Sequence, residues 1–158
     1  MKAKQFAATG LVLLSLWVVA RANSPRGILD NKFDRADVNH DNLLSMQEFL
    51  STQSGSTRYT DARFSFQLAD ENHDDRLSLI EFLESRGGKD GGKPDRRQTF
   101  DLADLDDDGA LDPDEFALTE PNGRSWSKVW KKFGRLDKND DAVISRDEWQ
   151  KGDWPTPL

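Results

Sequence analysis

The chain has 158 residues, 29 of them acidic and 22 basic, for a formal net charge of −7; at 35% hydrophobic residues it suits one domain or two small lobes. The acidic balance disfavours nucleic acid and anionic lipid as partners, because both repel a negative surface. With no cysteine, a disulfide framework and a thiol nucleophile are excluded, and stability must come from another source, such as bound metal.

Lys2 and Lys4 open the chain, Phe6 to Ala20 form a mostly apolar stretch, and Ala20-Arg21-Ala22 fits a small-x-small cleavage site. The order predicts a signal peptide over 1–22, cut before Asn23. The apolar stretch falls short of the roughly 20 residues needed to span a bilayer, so no stable membrane anchor is expected after cleavage. Three of the 22 bases leave with the segment and no acid does, giving a mature charge of 19 against 29, or −10. Trp154 to Leu158 is not an endoplasmic-reticulum retention tail, so a secreted, extracellular address is expected.

Four stretches further on overlay almost letter for letter: FDRADVNHDNLLSMQEFL from Phe33, FQLADENHDDRLSLIEFL from Phe66, FDLADLDDDGALDPDEFA from Phe100 and FGRLDKNDDAVISRDEWQ from Phe133. Their first acids (Asp37, Asp70, Asp104, Asp137) recur every 33 or 34 residues, as do their last (Glu48, Glu81, Glu115, Glu148). A fixed period of this length marks one supersecondary unit used repeatedly. Phe33 and Ala36, Phe66 and Ala69, Phe100 and Ala103, and Phe133 and Leu136 share helical spacing before each acidic segment; Phe49, Phe82, Phe116 and Trp149 follow it. These aromatics read as core shared between paired helices, since one unit alone is too small to bury them. Residues 87–94, with four glycines and a proline, read as a linker between a first pair over 23–86 and a second over 95–154.

The acidic segments, 37–48, 70–81, 104–115 and 137–148, place oxygen donors at positions 1, 3, 5, 7, 9 and 12, and in this they resemble the EF-hand superfamily. The resemblance implies Ca2+ as the bound ion, because a large cation taking 6–8 oxygens is wrapped by such a curled 12-residue loop. It implies an all-α fold of four helix-loop-helix units in two paired lobes, with a short two-stranded β-ribbon between paired loops at position 8 (Leu44 with Leu77, Leu111 with Ile144). Carried position by position, the ligands are Asp37, Asn39, Asp41, the Leu43 carbonyl, Ser45 and Glu48 in the first loop. The second offers Asp70, Asn72, Asp74, the Arg76 carbonyl, Ser78 and Glu81, and the third Asp104, Asp106, Asp108, the Ala110 carbonyl, Asp112 and Glu115. The fourth offers Asp137, Asn139, Asp141, the Val143 carbonyl, Ser145 and Glu148.

The four are not equivalent. The family places glycine at position 6, where φ is positive, and Gly109 meets this directly. Asn42 and Asp75 tolerate the left-handed region, whereas Ala142 costs roughly 1–2 kcal/mol there. With five acidic ligands against three elsewhere, the third loop is expected to bind tightest and the fourth weakest. Ser45, Ser78, Asp112 and Ser145 stand three residues before the closing Glu, so they also read as helix caps. His40 and His73, at position 4, read as solvated loop residues. The four-residue spacing of Trp126 and Trp130 favours core packing over a partner surface.

No motif of a nucleophile, phosphate loop or catalytic histidine is present, so no enzyme is expected. After signal removal one methionine, Met46, remains, which argues against the methionine-rich groove of a sensor. The combination resembles secreted EF-hand proteins of calcified extracellular matrix, with calcium, a matrix protein or mineral as partner. The competing expectation is a Ca2+-dependent sensor or adaptor that binds a partner protein in the secretory pathway.

Overall fold

A computed structural model describes residues 25–86 and 92–151. The proposed signal peptide, Gly87 to Gly91 of the linker, and Trp154 lie outside the described residues. Four helix–loop–strand–helix units follow in order. They are α1 (Pro25–Ala36), β1 (Leu43–Leu44) and α2 (Met46–Ser51); then α3 (Tyr59–Ala69), β2 (Leu77–Ser78) and α4 (Leu79–Arg86). The second half repeats this with α5 (Arg96–Ala103), β3 (Ala110–Leu111) and α6 (Pro113–Leu118), then α7 (Trp126–Leu136), β4 (Ile144–Ser145) and α8 (Arg146–Lys151). Among the described residues no helix is long and apolar enough to cross a membrane.

Helix ends are set by local chemistry. Asp95 caps α5 by accepting from the Gln98 amide at 2.8 Å while Gln98 accepts from the Asp95 amide at 2.9 Å. Thr52 and Thr119 end α2 and α6 by donating their hydroxyls to the Phe49 and Phe116 carbonyls. The ribbons are antiparallel, pairing Leu43 with Ser78 and Leu44 with Leu77, then Ala110 with Ser145 and Leu111 with Ile144. Leu44, Leu77, Leu111 and Ile144 are fully buried, so each ribbon is anchored on the hydrophobic core beneath it.

That core is two clusters. The first joins Phe33, Phe49, Phe66 and Phe82, one from each of α1 to α4, in edge-to-face contacts at 5.5–6.4 Å. The second joins Phe100, Phe116, Phe133 and Trp149 in the same way at 5.6–6.3 Å. Trp149 satisfies its indole N–H on the Arg96 carbonyl at 2.7 Å, which ties α8 to the start of α5. Each fully buried ring is worth roughly 1.5–3 kcal/mol, and each edge-on pair about 0.5–1.5 kcal/mol more.

The clusters belong to halves that touch. Helix α3 packs against α5, Arg63 donates to the Leu102 carbonyl at 2.8 Å, and Arg58 bridges to Pro121. Leu102 is buried at this contact, outside both aromatic clusters. Trp126 and Trp130 depart from the core packing expected of them. Each is 52% exposed, because Val129, Phe133 and Leu136 take the buried stripe of α7 and leave the indoles at its edge, where Trp130 meets Phe133 edge-on.

Candidate metal centres

Each acidic segment curls by using the left-handed region twice. At position 6, φ is 64° at Asn42, 61° at Asp75, 86° at Gly109 and 69° at Ala142. At position 4, His40, His73, Asp107 and Asp140 all lie at 58°. The second requirement was not anticipated from sequence. Its signal was present, since His and Asp are among the few non-glycine residues enriched in that region. It also accounts for both histidines, which are exposed and serve the loop's curl.

The first aspartate of each loop is buried and acts as the loop's hub. Asp37 accepts from the amides of Asp41 and Asn42 at 3.2 and 2.9 Å. Asp70 accepts from Asp74 and Asp75, and Asp137 from Asp141 and Ala142, at 3.0–3.2 Å. Position 5 is held by position 7, whose amides (Leu43, Arg76, Ala110, Val143) donate to Asp41, Asp74, Asp108 and Asp141 at 2.8–3.1 Å. In three loops the position-3 amide is a further tie: Asn39 donates to Asp41, Asn72 to Asp74 and Asn139 to Asp141.

The closing glutamate folds back across the loop. Glu48 accepts from the Val38 and Ser45 amides, Glu115 from Leu105 and Asp112, and Glu148 from Lys138 and Ser145, all at 2.8–3.0 Å. Glu81 takes the Ser78 amide at 2.8 Å. In return Ser45, Ser78, Asp112 and Ser145 accept from the glutamate amides, so position 9 caps the helix in every loop. These donors favour the ionised carboxylate. The Ser145 hydroxyl holds Glu148 at about 2, against an ordinary value of 4.5. Glu48 is lowered first by the Ser45 amide; burial, the largest single influence on Glu81, raises it, but hydrogen bonds from Ser78 and from the Asn72 and Glu71 amides together bring it below its ordinary value.

The third loop is built differently. Asp104, Asp106 and Asp108 bring one carboxylate oxygen each within 4.8 Å of one another, the one acidic trio so close among the described residues. Gly109 donates to Asp104 Oδ2 at 3.1 Å, but the buried Oδ1 has no hydrogen-bond partner. A buried carboxylate oxygen without a donor costs free energy that a cation would relieve. Converging hard oxygens suit Ca2+ better than a softer transition metal. Glu115 stands outside the trio, on the backbone amides of Leu105 and Asp112.

Two stretches, residues 31–51 and 97–118, match the EF hand family model. These are EF-hands. The matches fall on the first unit of each half, and the second and fourth EF-hands repeat their loop geometry through the same backbone angles and glutamate closure. No curated protein matches the chain. Among solved structures, a homolog of programmed cell death 6 protein from Leishmania major Friedlin is similar at 17% identity, over 77% of this chain and 68% of that one, with a TM-score of 0.35. EF-hands bind Ca2+, and Ca2+ is the ion for these loops. Held there, it would supply a divalent charge to neutralise the converging carboxylates.

Proposed function

We propose that the chain is a secreted, non-enzymatic calcium-binding protein that holds up to four Ca2+, using the position 1, 3, 5, 7, 9 and 12 donors of each loop. The observation that carries this is the third loop, where three carboxylates converge around a buried oxygen with no donor of its own. The segment 1–22 supports a secretory address. Extracellular calcium is near millimolar, so the loops would be filled constitutively, at affinities of about 10⁻⁴–10⁻³ M. Four ions would bring the mature −10 to about −2, relieving acid–acid repulsion. A calcium buffer or extracellular matrix component, acting in biomineralisation, fits this behaviour.

Equilibrium dialysis at millimolar calcium with metal counting tests the binding, and immunolocalisation tests the place. Three to four ions per chain and presence in a mineralised matrix support the reading; no uptake at millimolar calcium refutes it. One observation favours the sensor or adaptor reading, namely the half-exposed Trp126 and Trp130 on a helix that also carries exposed Lys128 and Lys131. Calcium-dependent capture of a helical peptide, reported by those indoles, would establish it instead.

A further inference from the structure

Each lobe carries an arginine that crosses from its second EF-hand to a proposed ligand of its first. Arg76, at position 7 of the second loop, sets Nη1 2.8 Å from Asp41 Oδ2 in the first. Arg146, just past position 9 of the fourth loop, sets Nη2 3.7 Å from Asp104 Oδ2 in the third. The two are held differently. The Arg76 pair is open to solvent on both sides, at 44% and 37% exposure. Arg146 is fixed over the Phe100 ring at 4.5 Å and paired with the Asp101 carboxylate, while Asp104 is buried.

We infer that Arg76 and Arg146 are resident counter-ions that weaken calcium binding at the first loop of each lobe and couple it to the second. This rests on the calcium reading above. An exposed ion pair contributes little to stability by itself. A fixed positive charge a few ångströms from a divalent ion nonetheless repels it, by enough to lower affinity about five- to tenfold at moderate salt. Arg76 is also the residue whose backbone carbonyl is assigned to the second site, so filling that site constrains the residue whose side chain guards the first. The other position-7 residues, Leu43, Ala110 and Val143, carry no charge, which makes Arg76 specific to this chain's first lobe.

The test is a calcium titration of the ¹⁵N-labelled chain, reading each loop from its own position-6 amide, Asn42 for the first and Gly109 for the third. Arg76→Gln should tighten the Asn42 curve about five- to tenfold and leave the Gly109 curve in place. Arg76→Lys, which keeps the charge, should change it less than twofold. Arg146→Gln should tighten the Gly109 curve alone. An Asn42 curve that is unmoved or weakened in Arg76→Gln, in a chain that still binds calcium, overturns the inference and leaves the calcium reading standing. Absence of any calcium-dependent shift in the unmutated chain removes both. Arg146→Gln also loses the contact with the Phe100 ring, so the Arg76 variants carry the test even if Arg146→Gln fails to fold.

Discussion

Asn39 donates from its side-chain amide to Asp41 at 3.1 Å, linking two donors of the first loop across one residue. Asn72 with Asp74 and Asn139 with Asp141 repeat the link, but the third loop has Asp106 there, a carboxylate with nothing to donate. The third loop therefore keeps an uncompensated charge that calcium can relieve, while the others hold part of theirs internally.

Asp106→Asn is expected to move two quantities in opposite directions. Losing one charge from the trio should weaken calcium binding at the third loop about tenfold. The same change should raise the melting temperature of the calcium-free chain, because an amide can tie to Asp108 as Asn139 ties to Asp141. Isothermal titration and thermal denaturation in chelator check the pair of outcomes. Unchanged affinity together with unchanged melting would remove the electrostatic account of the third site.

Ala142→Gly is expected to stabilise the calcium-free chain. Ala142 sits at φ 69°, where a side-chain-bearing residue is strained by about 1 kcal/mol. Relief of that strain corresponds to a rise of roughly 4–8 °C in the melting of a unit this size. Gly109→Ala should cost a similar amount, for a purely backbone reason, since a Cβ at Gly109 would meet nothing within 4 Å. Differential scanning calorimetry of the two variants in chelator is the check, and a lower melting temperature for Ala142→Gly would refute the strain.

The four loops and both ribbons were legible in the sequence because donor positions and buried position-8 residues repeat every 33 or 34 residues. What the period hides is what one segment does to another. Glu148 reaching the Lys138 amide, Arg76 reaching Asp41 and Arg63 reaching the Leu102 carbonyl depend on how distant backbones approach. Trp126 and Trp130 show the same limit. Spacing of four puts two residues on one side of a helix, but Val129, Phe133 and Leu136 decide which side is covered.

Acid should loosen the calcium-free second lobe in a defined window. Glu148 is held at about 2 in the folded chain, below its ordinary 4.5, so its contribution is complete above pH 4.5. It is lost as the pH falls from there toward 2. The Ser145 hydroxyl is the largest cause, so Ser145→Ala should move the Glu148 titration upward, making the contribution smaller and completing its loss at a higher pH. Carbon-detected NMR titration of the Glu148 carboxyl in chelator measures this directly. An identical titration in Ser145→Ala would show that the hydroxyl does not hold the charge.

Phe116→Ala should make the second lobe depend on calcium for its fold. Phe116 is fully buried and meets both Phe133 and Trp149 edge-on, at 5.6 and 6.3 Å. Truncating such a ring costs about 3–5 kcal/mol, comparable to the whole stability expected of a lobe of this size. Each filled site returns stability by mass action, about 2.7 kcal/mol when calcium is a hundredfold above its dissociation constant, so the two sites of the lobe together offset the loss. The variant should therefore be unfolded in chelator and refold as calcium is added. Replacing Trp126, Trp130 and Trp154 by Phe leaves Trp149 as the fluorescent reporter of the chain without residues 1–22, red-shifted in chelator and blue-shifted with calcium. A second lobe that stays unfolded at saturating calcium would mean that ion binding and core packing are not linked through α6 and α8.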